Sequence, residues 1–220
     1  MIKKLIFFLS LAIISTSMFS QEKEGRIVEM DTNFGDIRIL LYNSTPLHQA
    51  NFLKLVKEGF YNDQLFHRVI SDFMIQAGDP NSKDAAQGEM LGMGGPGYTI
   101  PAEFRENLFH KKGALAAARK GDAVNPKKES SGSQFYIVQG KVYTPQQLDS
   151  FVKMGKHKIF TEEQIQVYTH LGGTPHLDDS YTVFGEVISG LEVIDIIAEQ
   201  AVNAYKRPLE DISFQLKIVK

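Results

Sequence analysis

The densest chemical grouping in the chain is Phe66-His67-Arg68-Val69-Ile70, followed at once by Phe73-Met74-Ile75-Gln76-Ala77-Gly78-Asp79. A permanently charged, donor-only guanidinium lies between two apolar, strand-like runs, with an amide side chain close behind. The residue types leave two readings open. Arg68 is a fixed cation serving a site, or it is one half of a salt bridge on the surface of a strand.

Other constellations point less far. Gly92-Met93-Gly94-Gly95-Pro96-Gly97 has the spacing G-x-G-x-x-G, but a dinucleotide site needs a strand before that pattern and a helix after it. Here Tyr98-Thr99-Ile100-Pro101 follows. Ser133 in Gly132-Ser133-Gln134 does not fit the G-x-S-x-G nucleophile elbow. His157, His170 and His176 stand 13 and 6 residues apart. That spacing matches no common metal-ligand pattern, so they read as solvated or packing histidines. Asp178-Asp179 reads as a turn, and Lys127-Lys128 as part of a solvated loop. The chain has no cysteine, which excludes disulfides, thiol catalysis and thiolate-bound metal.

The elements that must position Arg68 are mostly strands. Residues 26–32 and 36–41 flank Asn33-Phe34-Gly35, where Gly35 supplies a tight turn. Residues 65–70, 73–77, 133–139 and 181–188 are further strands, 113–118 is an apolar run of small residues, and Ile212 to Ile218 alternates as a half-buried strand. Residues 79–101, rich in Gly and Pro, form a long loop. A helix begins at Pro46, with Thr45 as its cap, an apolar stripe of Leu47, Ala50, Leu53 and Val56, and Gly59 after its end. A second runs from Leu191 to Ala198. Between them, Tyr143-Thr144-Pro145-Gln146-Gln147-Leu148 and Phe160-Thr161-Glu162-Glu163-Gln164-Ile165 share one syntax, a capping box with a hydrophobic staple. They predict two short helices over 145–154 and 162–171, each followed by glycine, Gly155 or Gly172. Many strands with two helices in the common core suggest a β barrel or sandwich closed by helices.

From Arg26 to Val219 the sequence resembles the cyclophilin family. The resemblance is carried by FHRVISDFMIQAGD (66–79), GGPGYTIPAEF (94–104), GALAAA (113–118), SGSQFYI (131–137) and YTVFGEVISG (181–190), in that order. It implies a mainly β fold, an eight-stranded antiparallel β-barrel capped by two α-helices, here with an inserted helical segment near 141–175. It also implies peptidyl-prolyl cis/trans isomerisation of proline-containing polypeptides, with no cofactor and no metal. Arg68 matches the family's catalytic arginine, and Gln76 the residue that holds its guanidinium and contacts the substrate carbonyl. Phe73, Met74, Tyr136 and Leu177 match the pocket for the proline ring. Ala118, Arg119 and Gln134 match the groove for the flanking backbone. The resemblance also places His176 and Tyr181 in the substrate-binding set, and the chain departs from the family at three positions of that set. His176 stands where most members carry Trp, so cyclosporin sensitivity does not carry over. Tyr181 stands where many have His, and Arg119 replaces a common Asn.

The N-terminus carries Lys3 and Lys4, an apolar stretch from Leu5 to Ile14 broken only by Ser10, and a small polar stretch to Ser20. About ten apolar residues are too few to span a bilayer, which needs ~20. The pattern is that of a signal peptide over 1–20, with Ser20/Gln21 as the expected cleavage point and 21–25 as a flexible lead into a single domain at 26–220. Export to the periplasm, or secretion beyond it, is expected, without a stable membrane anchor. The formal net charge of −2 at pH 7 argues against a nucleic-acid binder, which needs a clustered basic face. A monomer is expected.

Overall fold

A computed structural model describes residues 25–219. The leader expected at 1–20 lies outside the described residues. β1 (Gly25–Thr32) and β2 (Gly35–Tyr42) form a hairpin in full register, from Gly25 opposite Tyr42 to Thr32 opposite Gly35. Gly35 has φ +124°, in the region where a side chain would be strained. The remaining strands are β3 (Gln64–Leu65), β4 (Arg68–Ile70), β5 (Met74–Ala77), β6 (Thr99–Ile100), β7 (Ala114–Ala117), β8 (Ser130–Ser131), β9 (Phe135–Val138), β10 (Val183–Ser189) and β11 (Ser213–Ile218). Nine of them form one antiparallel sheet in the order β3-β11-β1-β2-β10-β7-β9-β5-β4, and β6 pairs with β8.

The two outermost strands of that order, β3 and β4, are joined by only Phe66 and His67. Phe66 N–H donates to Ile212 O beside β11 (2.9 Å), and His67 N–H donates to Gln76 O on β5 (3.1 Å). One short peptide therefore bonds to both edges, and the sheet must curl until they meet. The expected single strand at 65–70 is broken here. Counted as one piece, it makes the sheet the eight-stranded barrel implied by the sequence; counted as β3 and β4, it makes nine.

Side chains alternate between the two faces of each strand. Ile75, Ala77, Leu115, Ala117, Phe135 and Ile137 fill the main core inside the curl. Met74, Ala114, Ala116, Tyr136 and Val138 form a second apolar cluster on the opposite face. Both faces are covered, so these strands read as continuous apolar runs rather than as clean alternation.

Helix α1 (Pro46–Lys57) starts where the proline predicts, yet two sequence expectations about it change. Thr45 makes no side-chain cap. Its hydroxyl donates to Tyr42 O at 3.4 Å. The first free amides of the helix, Leu47 and His48, instead donate to the carboxylate of Glu103 (3.2 and 3.0 Å). An anion at a helix N-terminus also complements the helix dipole. The buried face is His48, Phe52, Leu55 and Val56, whereas Leu47 is 50% exposed. The larger Phe52 and Leu55 win the core over the stripe through Ala50 and Leu53. Helix α4 (Leu191–Ala198) buries Val193, Ile194, Ile197 and Ala198.

Helices α2 (Pro145–Lys153) and α3 (Glu162–His170) both carry the complete capping box read from the sequence. They enclose a small core of Phe109, Tyr143, Leu148, Phe160 and Tyr168. The stem of this insertion is pinched shut. A Cβ on Gly140 would stand 2.4 Å from Gly173 Cα, so the entering and leaving chains pack backbone to backbone. Lys141 and Gly173 exchange backbone hydrogen bonds at 3.3 and 3.0 Å. Among the described residues no helix is long and apolar enough to cross a membrane.

Candidate active site

The site lies on one row of the sheet. Directly opposite residues share a face, and the register places Val183, Ala116, Tyr136, Gln76 and Arg68 side by side across β10, β7, β9, β5 and β4. Met74 and Ala118 lie two residues along from members of that row, on the same face. The small side chains of Ala116 and Ala118 keep the floor low. Larger side chains rise around it to enclose a cavity of about 370 Å³.

Arg68, Phe73, Met74, Gln76, Ala118, Arg119, Tyr136, Leu177 and Tyr181 border this cavity, so most of the residues singled out in the sequence come together. Two do not border it. Gln134 stands behind Gln76 and is buried, and His176 is an exposed residue outside the rim. The ring of His176 stacks at 5.6 Å on Phe73, and at 6.4 Å on Phe151 of α2. A line of rings thus joins the cavity wall to the insertion. Stacking between these rings partly desolvates His176 and lowers its pKa.

Arg68 is half-buried. Its Nη1 donates to Gln76 Oε1 at 3.0 Å and approaches Met74 Sδ at 4.0 Å, and the guanidinium stands 6.0 Å from the Phe73 ring centroid. Burial lowers its pKa, but arginine stays protonated in proteins. Gln76 Nε2 donates in turn to Gln134 Oε1 (3.1 Å). Gln134 Nε2 donates to the carbonyls of Gly92 (2.9 Å) and Gly94 (2.8 Å). Amides of the same two glycines donate to the Asp79 carboxylate. The glycine-rich loop with the dinucleotide-like spacing thus serves to position the site's glutamines.

Arg119 directs Nε and Nη1 to partners within the protein. Nε bonds Ser180 O at 2.7 Å, Nη1 bonds Lys120 O and Asp122, and the guanidinium lies 4.5 Å over the ring of Tyr181. It braces the wall that holds Tyr181. The amide and carbonyl of Ala118 are likewise taken, by Gln134 O and Ser131 N–H.

Several residues of the site lay beyond sequence reasoning. His67 borders the cavity with both ring nitrogens unpaired. Burial brings its pKa down to about 4, against an opposing pull from Asp79, so the ring is neutral at physiological pH. Tyr136 Oη bonds His110 Nε2 (2.9 Å), and His110 Nδ1 bonds Asp178 Oδ1 (2.8 Å). The other oxygen of Asp178 receives Tyr168 Oη (2.7 Å) and His157 Nε2 (3.0 Å). Asp178 lies in a turn, as the sequence predicts, and its carboxylate is in addition a buried acceptor for three side chains. Burial pushes its pKa up, but the hydrogen bonds from His110, His157 and Tyr168 prevail and hold it at about 2. Burial pulls His157 down, and its bond to Asp178 more than reverses this. No local pattern marks Asp178, because its partners come from three separate segments.

A cavity with an apolar patch of Phe73, Met74, Tyr136 and Leu177 and with the guanidinium of Arg68 at its wall, set on the outer face of a curled antiparallel sheet, can take a short peptide segment and offer it a charged hydrogen-bond donor. Residues 27–216 match the family described as cyclophilin type peptidyl-prolyl cis-trans isomerase/CLD, and the chain belongs to that family. A Staphylococcus aureus protein named as a peptidyl-prolyl cis-trans isomerase is 37% identical over 196 residues, 87% of this chain and 90% of that one. A Streptococcus pyogenes protein named as a bifunctional phosphatase/peptidyl-prolyl cis-trans isomerase is 37% identical over 198 residues, and the chain spans 37% of its length. A crystal structure of a Cryptosporidium parvum cyclophilin type isomerase superposes with TM-score 0.64 at 24% identity, covering 90% of this chain and 99% of that one. This last likeness is one of fold. The function of the chain is that of its family, peptidyl-prolyl cis-trans isomerisation.

Proposed function

We propose that Arg68 carries the isomerisation by hydrogen-bonding the prolyl nitrogen of a bound Xaa-Pro segment as its amide twists. Amide resonance sets a barrier of ~18–20 kcal/mol to that rotation. In the planar amide the nitrogen lone pair is delocalised. In the twisted transition state it is localised and accepts a hydrogen bond. A donor aimed at it stabilises the transition state more than the ground state, and that difference is what lowers the barrier. The observation that carries this reading is Arg68 held by Gln76 at 3.0 Å at the wall of the cavity, beside its apolar patch. The cation is oriented before substrate arrives. Phe73, Met74, Tyr136 and Leu177 would receive the proline ring. The C. parvum protein has also been crystallised in the presence of the dipeptide Ala-Pro, a ligand of the size and polarity this cavity would take.

The enzyme acts as a monomer on exported polypeptides beyond the cytoplasmic membrane, with the periplasm as its compartment. The basic-apolar-polar order of residues 1–20 supports this. Uncatalysed Xaa-Pro isomerisation takes tens to hundreds of seconds, slow enough to limit folding there. A reporter fused to residues 1–25 should leave the cytoplasm, and one retained there would remove the export claim.

The test of mechanism is isomerisation of a short Xaa-Pro-Phe peptide by the wild type and by Arg68→Ala. Loss of a preorganised charged donor should lower kcat/KM about 100- to 1000-fold, by analogy with oxyanion donors, while the variant stays folded by circular dichroism. Equal rates would take Arg68 out of the mechanism. A wild type no faster than the uncatalysed reaction would leave the cavity as a peptide-binding surface only.

A further inference from the structure

Tyr205 borders the same cavity as Arg68 but belongs to no strand of the barrel. Its side chain is 68% exposed. Among the described residues neither its hydroxyl nor its ring has a hydrogen-bond or ring partner, and only its amide is engaged, by Asn203 Oδ1 at 2.8 Å. An aromatic ring left in water forgoes the burial that stabilises a fold, so the protein's own packing gives no reason for a tyrosine here.

The turn that presents the ring is fixed. Asn203 Oδ1 also accepts from Arg207 N–H (3.1 Å). Lys206 N–H donates to Asn203 O (3.0 Å), and Asn203 N–H to Arg207 O (2.9 Å). Val69 N–H donates to Lys206 O at 2.8 Å, stitching the turn to β4 one residue from Arg68. At its base the buried Arg207 donates to the carbonyls of Ala86 (2.9 Å) and Glu89 (3.0 Å) and pairs with Asp211. The same side chain thus joins the Tyr205 turn to the loop leading to Leu91 and Gly92, which also border the cavity.

Sheet order gives the distance scale. Ala118 and Arg119 follow β7, whereas Tyr205 lies beyond β4, and β9 and β5 stand between. Four spacings of about 4.8 Å, three across the strands and one from β4 to the turn bonded to it, make roughly 19 Å, the reach of about five or six extended residues at ~3.3–3.6 Å each. A peptide crossing this span with its proline over Met74 and Tyr136 would bring a side chain one or two residues away onto Tyr205.

We infer that Tyr205 is a specificity subsite, whose ring takes an aromatic or large apolar side chain one or two residues from the proline, on the side of the peptide that runs past Arg68. The inference rests on the cavity receiving the proline. The test is kcat/KM for peptides carrying Phe or Ala at each of the two positions before and after the proline, with wild type, Tyr205→Ala and Tyr205→Phe. Wild type should prefer Phe at one of these positions by about three- to tenfold, the scale of an aromatic pair, with the difference in KM rather than kcat. Tyr205→Ala should abolish the preference, and Tyr205→Phe should keep it. The inference is overturned if wild type shows no preference at any position, if the preference survives in Tyr205→Ala, or if Tyr205→Phe loses it too. A wild type that isomerises none of the peptides overturns the isomerase reading, and this subsite with it; a wild type that is active but indifferent to the flanking residue overturns only the subsite.

Discussion

Which atom of Gln76 faces Arg68 is decided 16 residues or more away in sequence, by two backbone carbonyls. Gly92 O and Gly94 O can only accept, so they fix Gln134 with its Nε2 toward them. That leaves Gln134 Oε1 toward Gln76, which must answer with Nε2 and so turns Oε1 to the guanidinium. Gln134 is thus a positioning residue that acts through Gln76. Gln134→Ala should lower kcat/KM about five- to tenfold, the range of one net hydrogen bond at ~1–1.4 kcal/mol. The loss should lie in kcat, because the proline pocket itself is untouched. An unchanged kcat would mean that Gln76 keeps its orientation without this relay. Arg68 and Gln76 were legible in the sequence as residue types within a family motif. The direction of the amide was not, since it depends on a loop whose glycines carry no side-chain chemistry.

At the scale of elements, the insertion is tied to the barrel at three places: the pinched stem, the rings of Phe151 and His176, and the carboxylate of Asp178. Asp178 accepts from Tyr168 on α3, from His157 in the loop before α3, and from His110 behind Tyr136 of the cavity. Its folded pKa of about 2 lies below the ordinary 3.8. For a depressed carboxylate the stabilisation is complete above the unfolded pKa and is lost as pH falls through the folded one. The window here is pH ~4 down to ~2. The displacement corresponds to about 2 kcal/mol at 1.36 kcal/mol per unit, a scale suited to a side chain this buried. Asp178→Asn should therefore unfold in urea with about 2 kcal/mol less stability at pH 7 and with roughly half that deficit at pH 3. Equal deficits at both pH values would show that ionisation of Asp178 contributes nothing. The capping boxes at Thr144 and Thr161 were legible because both partners lie within four residues. The Glu103 cap of α1 was not, because its carboxylate arrives from more than fifty residues away and displaces the nearer Thr45.

For the whole molecule, the decisive event is the meeting of the sheet's two edges through Phe66 and His67. The ladders joining β10, β7, β9, β5 and β4 turn one row of residues into a site, although Arg68 and Val183 are far apart in the chain, and closure curls that row onto the outer face. It also explains what local reading missed. With a core on one face and the site's apolar floor on the other, strands such as Phe135–Val138 show no alternation, so sequence periodicity could mark them as strands without saying which residues face a substrate. By itself the sequence determined the strand-rich architecture, the two capped helices of the insertion, and the motif that brings Arg68 and Gln76 opposite each other. These follow from short-range preferences: turn residues, caps, and a register set within a hairpin of a few residues. Only the tertiary structure decided the break at residues 66–67, the anion that caps α1, the Asp178 hub and the place of Tyr205 beside the cavity. Each of these depends on groups brought together from distant segments by the tertiary fold, which no local pattern encodes.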